Sequence, residues 1–283
     1  MHTIDEGIFY EDCYPGVTVG AISRPHGLLL IDAPLRTEDI RNWRSVLHSR
    51  GGGERMLVAL DAHYDRTLGL RMMEAPVITH HKTAAVLKKR TGLFKGQGDE
   101  SGAEWELCAP LGSRRWLQPD FTFTVQVTLH WGKSEINIEH HPGPMQGAAW
   151  VLVPQRKVAF VGDAVFKDQP PFLANADIPA WLETLDVLEE MTRDGFVIII
   201  GRSGTAVQQD VIAQRDFLLR VQDALDELHA RKAPPKQARS LAPGLLETLT
   251  TPANRRGFYT LRLEYGLEAY YRRHYIKEEK RRK

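Results

Sequence analysis

The sequence is poor in cysteine and in long apolar runs. It contains 2 cysteines, Cys13 and Cys108, and neither belongs to a C-x-x-C pair, which leaves a disulfide framework or a thiolate metal site without support. No apolar run approaches the roughly 20 residues that cross a bilayer. The acidic start, residues 1–12, lacks the basic leader and apolar core of a secretory signal. We therefore expect a reducing compartment, no membrane partner and a cytoplasmic location.

The sequence also lacks an excess of charge of either sign. Lys and Arg total 37 against 36 Asp and Glu, so the formal net charge is +1. Such a chain has no strong electrostatic field to gather nucleic acid, and we expect no nucleic-acid partner. Its composition, 42% hydrophobic and 26% charged, is that of a globular protein able to bury a full-sized core.

Short apolar runs alternate with amphipathic segments along the chain, which predicts strands interspersed with helices. The predicted strands lie at 17–22, 28–31, 56–60, 76–79, 121–129, 136–139, 149–153, 158–161 and 196–200. The first predicted helix has Thr37 as its N-cap and ends before the glycines at 51–53. Further helices are predicted at 83–91, 181–191, 207–231 and 258–279. Residues 92–120 are predicted to be mostly loop. This mixture indicates a layered α/β domain.

Polar clusters follow three of the apolar strands directly. The residues concerned are Asp61, His63, Asp65 and Arg66 after 56–60, Asp163 after 158–161, and Arg202 after 196–200. Loops at strand ends converge to form sites in sheet-based α/β proteins. An unpaired buried charge is costly, so the simplest arrangement brings these carboxylates and guanidinium groups together.

The clusters have the order of a known set of motifs. Residues 61–66, DAHYDR, match H-x-H-x-D-H; residues 142–147, PGPMQG, match P-G-H-T-x-G with Pro144 in place of the histidine; residues 160–163, FVGD, match a strand that ends in G-D; and residues 201–204, GRSG, match G-H-G with Arg202 in place of the histidine. Upstream, Leu30, Ile31 and Asp32 match an early strand with its structural aspartate. In this order the set resembles the metallo-β-lactamase superfamily.

The resemblance runs from about residue 8 to residue 204 and implies the fold. It implies an α/β (α+β) architecture, a four-layer αββα sandwich, with extra C-terminal helices. We expect this domain to span 1–231. The paired prolines within 233–237 break the last long helix, so residues 232–283 are predicted to form a linker and a helical extension that packs on the same domain.

The resemblance also implies a metal site, from which this chain departs. Intact members hold two zinc-type ions that share a hydroxide, which attacks an ester, lactam or phosphoester. Here the first position would keep His63 and gain Asp61, and the second would keep Asp65 and Asp163. Because arginine has donors only, we predict that Arg66 and Arg202 replace the second ion by bidentate pairing with Asp65 or Asp163. A dinuclear zinc centre is not expected.

Two main hypotheses follow, and a third is weaker. In the first, Asp61, His63 and Asp163 hold one divalent ion (Zn, Mn or Fe), and the catalytic carboxylates of Asp65 and Asp163 help to hydrolyse a small ester, thioester or phosphoester. In the second, the protein is a non-catalytic binding module that holds an anionic ligand through Arg66 and Arg202. In the third, the domain is an oligomeric scaffold, for example a homodimer, whose C-terminal helices form the contact.

Overall fold

Two β-sheets form the centre of the fold. The computed structural model describes residues 1–50, 53–98, 100–108, 111 and 114–276. Within these residues, the first sheet contains β1 to β7: His2–Asp5, Ile8–Glu11, Val19–Arg24, Gly27–Ile31, Glu54–Val58, Val77–His80 and Phe121–Phe123. The second contains β8 to β13: Gln126–Leu129, Ile136–His140, Ala149–Val153, Val158–Gly162, Val197–Ile200 and Thr205–Ala206.

Helices cover the outer faces of both sheets. The α-helices of the described residues are α1 to α7: Thr37–His48, Tyr64–Thr67, His81–Lys89, Ile178–Arg193, Gln208–Ala230, Ala242–Glu247 and Arg256–Tyr271. Shorter 3₁₀ segments lie at Leu70–Met73, Glu104–Leu107, Pro154–Arg156, Pro235–Leu241 and Ala253–Arg255, and a π-helical turn follows α7 at Arg272–Ile276. None of the helices in the described ranges has the length and apolar character needed to cross a membrane.

Strand order follows the chain in both sheets. In the first sheet β1 to β4 run antiparallel to their neighbours, and β4 to β7 are parallel. In the second sheet the order is β13-β12-β11-β10-β9-β8, and only the β11–β12 pair is parallel among these described strands. The parallel strands therefore deliver their C-terminal ends to one edge of each sheet, which is where loops gather to form a site.

Three apolar cores separate four layers. Alternation along β4 places Leu28 and Leu30 in a core with α1, and Leu29 and Ile31 in a core between the two sheets. Trp150, on β10, belongs to the third core, which lies under α4 to α7. Side chains that alternate across a sheet in this way require apolar cover on both faces. The predicted αββα sandwich is thus confirmed.

The C-terminal helices share the third core. Leu246 of α6 and Leu263 and Tyr271 of α7 belong to the same cluster as Trp181 of α4. The Tyr271 hydroxyl also donates a hydrogen bond to the carbonyl of Ala233 at 3.1 Å. The described part of the extension is therefore packed against the sandwich. The end of the predicted extension, residues 277–283, lies outside the described residues.

The structure corrects two local predictions. Residues 121–129 do not form one strand, because β7 pairs with β6 in the first sheet and β8 pairs with β9 in the second. The chain passes between the sheets near Val125, which is 73% exposed, so the alternation in sequence continues across a change of sheet. Thr37 is the first residue of α1 and not its cap; its hydroxyl accepts a hydrogen bond from Arg114 Nη2 at 3.0 Å.

The close contact between the two sheets predicts the effect of one added methyl group. A Cβ at Gly20, on β3, would overlap the Phe160 ring in the core between the sheets. Gly20→Ala should therefore lower the free energy of unfolding by about 1–3 kcal/mol, the usual cost of overpacking, as measured by chemical denaturation.

Gly244→Ala is the matched control for this prediction. Gly244 lies in α6, and its added methyl would meet nothing within 4 Å. Alanine is also the better helix former, so this variant should be neutral or up to about 1 kcal/mol more stable. Equal destabilisation by both variants would contradict the packing described between the sheets.

Candidate functional site

Four strand ends from both sheets meet at one edge of the sandwich. Asp32 follows β4, the segment 61–66 follows β5, Asp163 follows β11, and Arg202 follows β12. The polar side chains that meet there are Asp32, Asp61, His63, Asp65, Arg66, Asp163 and Arg202, each 4% exposed or less. We call the four aspartates and two arginines the ion network. The predicted site residues are thus brought together, in a closed interior.

Arg66 contacts three carboxylates at once. Its Nη1 donates a hydrogen bond to Asp32 Oδ2 at 2.6 Å, its Nε lies 3.0 Å from Asp61 Oδ1, and its Nη2 forms an ion pair with Asp163 Oδ1. The predicted bidentate pair with one aspartate is therefore replaced by a bridge across three strand ends. Asp32 anchors this bridge because its other oxygen accepts the Leu60 amide at 2.9 Å.

Arg202 joins both aspartates that the sequence singled out. Its Nη1 donates to Asp65 Oδ2 at 2.7 Å, and its Nε and Nη2 lie 3.2 Å from Asp163 Oδ1 and Oδ2. Its Nη2 also lies 3.0 Å from His63 Nδ1. A planar guanidinium presents donors in a fixed fork that suits such a group of oxygens.

Gly201 allows the two arginines to share Asp163. A Cβ at this position would lie 2.6 Å from Asp163 Oδ1 and 2.9 Å from Arg66 Nη2. Its carbonyl accepts the Thr18 amide at 2.8 Å, which ties the loop after β12 to the first sheet. A side chain at Gly201 would therefore push the network apart.

Asp65 is held by a loop that the sequence analysis left without a role. Its carboxylate accepts the backbone amides of Glu104 at 3.2 Å and Trp105 at 2.8 Å. These amides begin the 3₁₀ segment Glu104–Leu107. No pattern in the sequence pointed to this contact, because backbone amides carry no residue-specific signal.

Both nitrogens of His63 have partners. Nδ1 accepts the Asp65 amide at 3.1 Å, which caps α2, and also faces Arg202, so the ring proton belongs on Nε2. Nε2 lies 2.9 Å from Glu100 Oε2. Burial, reinforced by the charge of Arg202, lowers the pKa of His63 to about 3, so the ring is neutral near neutral pH.

The arrangement does not fit a metal ion at Asp61, His63 and Asp163. Among the residues that the structure describes, the set of ligand types that does converge to within 4.8 Å is His2, Glu11 and Asp12, at the N-terminus. The His63 Nδ1 lone pair is taken up by two N–H groups. Pro144, which occupies the histidine position of the 142–147 turn, has no side-chain donor atom for a metal.

A third buried arginine reaches the site from the C-terminal extension. Arg262, on α7, donates to the carbonyls of Gly102 and Pro170, both at 2.8 Å. Its guanidinium lies 4.0 Å from the ring centre of Phe172, whose other neighbours are Arg202 at 4.8 Å and the His63 ring at 4.3 Å. Sequence analysis missed this residue because its helix pattern indicates only packing.

Comparison with known proteins agrees with this architecture. The family model described as the metallo-beta-lactamase superfamily matches residues 62–201. The matched segment contains His63, Asp65, Arg66 and Asp163, whereas Asp32, Asp61 and Arg202 lie outside it. The chain belongs to the metallo-β-lactamase superfamily. A search of curated proteins finds no match.

Solved structures with the superfamily fold are similar over most of the chain. A metallo-beta-lactamase family protein from Thermus thermophilus has 18% identity and a TM-score of 0.66, over 98% of this chain and 95% of that one. A double mutant of the sec-alkyl sulfatase PisA1 has 14% identity and a TM-score of 0.63, over 96% of this chain and 49% of that one. A metallo-beta-lactamase from Pontibacter korlensis has 18% identity and a TM-score of 0.57, over 77% of this chain and 97% of that one.

The ion network of this superfamily member carries more negative than positive charge. Four carboxylates face two guanidinium groups. Burial, together with the neighbouring Asp163 and Asp32, raises the pKa of Asp61 to about 7 in spite of Arg66. Although burial opposes it, the charges of Arg202 and Arg66 hold the pKa of Asp163 well below its usual range. Below about pH 7 a proton on Asp61 therefore removes one of the two excess negative charges.

This difference in pKa predicts losses of stability of very different size for two matched substitutions. Asp163→Asn should lower the free energy of unfolding by about 3–5 kcal/mol, because it leaves two buried guanidinium groups without their shared anion. Asp61→Asn should cost less than about 1 kcal/mol, because the amide oxygen can still face Arg66 and accept the His63 amide. Denaturation near pH 6 measures both.

The pH dependence of the free energy of unfolding, compared between the wild type and Asp61→Asn, tests whether Asp61 carries a proton. A folded pKa above the unfolded value gives stability that is present at low pH and is lost as pH rises through about 7. Between about pH 5 and pH 7 the wild type should therefore lose about 2 kcal/mol relative to Asp61→Asn. A difference between the two proteins that does not change with pH would contradict the protonation of Asp61.

Proposed function

We propose that this superfamily member works without a metal centre, as a binding protein for a small anionic molecule. One observation carries the proposal: the Arg202 guanidinium lies within 3.3 Å of Asp65, Asp163 and His63, the groups that a metal ion would require. Fixed positive charge on arginine stabilises the buried carboxylates here, as a cation otherwise would.

The two carboxylates predicted to be catalytic, Asp65 and Asp163, are not suited to act as general bases, and Asp61, whose pKa is raised to about 7, is 1% exposed and faces Arg66. A general base needs a pKa near the working pH. The pKa of Asp163 is held far below that range by Arg202 and Arg66, and the carboxylate of Asp65 is occupied by Arg202 and two backbone amides. Neither carboxylate is placed to accept a proton from an attacking water. The predicted catalytic roles of Asp65 and Asp163 are therefore assigned to structure in this proposal.

Arg66 and Arg202 are also poorly placed to hold the ligand themselves. Their side chains are 0% and 3% exposed, and each already faces carboxylates. An incoming anion would have to displace the aspartate side chains that already contact each arginine. These aspartates belong to the same chain, and the fold holds them beside the arginines. The anion-binding role predicted for this pair is accordingly transferred to other basic residues, and the pair is assigned to maintaining the site.

The competing hypothesis keeps one divalent ion at Asp61, His63 and Asp163 and retains hydrolysis of a small ester, thioester or phosphoester. The superfamily's solved relatives include lactamases and an alkyl sulfatase, which favours this alternative by descent. This alternative requires Arg202 to move away from His63 and Asp163. The Nδ1 lone pair of His63 and the carboxylates of Asp61 and Asp163 would then have to become available to the ion.

Metal content separates the two hypotheses. A His2→Ala variant, which removes the imidazole of the N-terminal cluster, purified without chelators and incubated with zinc, should hold less than about 0.2 ions per chain after dialysis, because the ligands at the strand ends are engaged. Arg202→His returns the histidine of the G-H-G motif and removes a fixed charge, so it should raise zinc uptake. Inductively coupled plasma mass spectrometry gives the measurement, and circular dichroism controls for folding.

The reverse pattern would contradict the proposal. About one tightly held ion per wild-type chain, released by His63→Ala, would support the mononuclear hydrolase instead. Hydrolysis of a small ester or phosphoester that is lost with the same substitution would do so independently.

A further inference from the structure

A cavity of about 300 Å³ lies beside the ion network. The residues that form its walls include Ala62, Lys82, Thr83, Gln146, Asn175 and Arg273. They come from the loop after β5, the first turn of α3, the turn at 142–147, the loop before α4 and the π-helical turn after α7. The volume is at the lower end of the range for small-molecule sites.

All of the charged side chains that line the cavity among the described residues are positive. Lys82, Arg90 and Arg273 contribute to its walls, and the described lining residues include no aspartate or glutamate. In the part of the chain that the structure describes, neither Lys82 nor Arg273 has a carboxylate within 4.0 Å. Such a local excess is notable in a chain whose net charge is only +1.

The basic walls are anchored to the fold. Arg90 donates a hydrogen bond to the Ala62 carbonyl at 2.6 Å, and its guanidinium lies 3.8 Å from the ring centre of Tyr64. Arg273 donates to the carbonyl of Ala176. These contacts hold both side chains in place before a ligand arrives, which lowers the entropy lost on binding.

The cavity is linked to the ion network through the side chains of Asn175, Glu100 and His63. Asn175 Nδ2 donates to Glu100 Oε1 at 3.1 Å, and Glu100 Oε2 lies 2.9 Å from His63 Nε2. Ala62, on the cavity wall, lies between Asp61 and His63 in sequence. The network thus fixes the floor of the cavity without contributing a charge to its lining.

We propose that this basic cavity is the ligand site and that it takes a small molecule carrying a phosphate group. The inference rests on the proposed function and names its site. A phosphate monoester carries about −1.5 to −2 charges at neutral pH, which balances the two cations Lys82 and Arg273 better than a single carboxylate does. The first turn of α3, on the same wall, adds the favourable end of a helix dipole.

Isothermal titration of the full chain with inorganic phosphate tests this assignment. We expect saturable binding, with acetate at least about tenfold weaker because it carries a single charge. Lys82→Ala and Arg273→Ala should each weaken phosphate binding by about tenfold, since each removes one charged hydrogen-bond donor. Lys88→Ala is the matched control: it removes the same charge from an exposed position on the same helix, outside the cavity, and should leave the affinity unchanged.

A parallel titration after treatment with a chelator separates this inference from the proposed function. Binding that survives the chelator but is unaffected by Lys82→Ala and Arg273→Ala would overturn the cavity assignment and leave a metal-independent binding protein. Binding abolished by the chelator would overturn both, because the anion would then be held by a metal ion. No binding of phosphate, acetate or any other small anion tested would likewise overturn both.

Discussion

The guanidinium groups of Arg66 and Arg202 hold the ends of four strands together by contacting carboxylates that the fold buries. Asp32, Asp61 and Asp163 converge on Arg66, and Asp163 is shared with Arg202. Buried charges are tolerated only when they are paired and hydrogen-bonded. Because the partners come from both sheets, the edge of the sandwich could not close in this form without both arginines.

This network explains why the interior of the site is closed. Phe172 lies between the network and Arg262 of α7, and burial together with the charge of Arg202 lowers the pKa of Arg262 to about 10. Arg262 of the C-terminal extension therefore covers the site together with Phe172, and the basic cavity lies to one side. Arg66 and Arg202 thus maintain the shape of the site, and the proposed ligand contacts other cations, Lys82 and Arg273.

Local patterns predicted much of this architecture. The apolar runs located β4, β5, β10, β11 and β12, and the order of strand-end clusters indicated that Asp61, Asp65 and Asp163 would meet Arg66 and Arg202. The sequence could not indicate that Arg66 would bridge three aspartates, because this depends on where β4 delivers Asp32. It also could not predict the change of sheet near Val125, since alternation looks the same on either side of it.

Partners from distant segments were the part that sequence patterns missed. Glu100 lies in a glycine-rich loop, and Arg262 lies in a helix whose spacing resembles ordinary packing. Nothing local distinguishes these residues from solvated charges, and only the folded chain brings them to His63 and Phe172. The cavity residues Lys82 and Arg273 are likewise 191 positions apart (273 − 82) in the chain.

The guanidinium group of Arg202 occupies the space among Asp65, Asp163 and His63. Anomalous diffraction at the zinc absorption edge, on crystals soaked in zinc, shows whether a metal ion can replace this group, because the method locates zinc independently of any activity. We predict no anomalous peak among these three side chains, with Arg202 still in contact with Asp65 and Asp163. A zinc peak bound to His63 and Asp163, with Arg202 displaced, would instead show that the site is a metal centre.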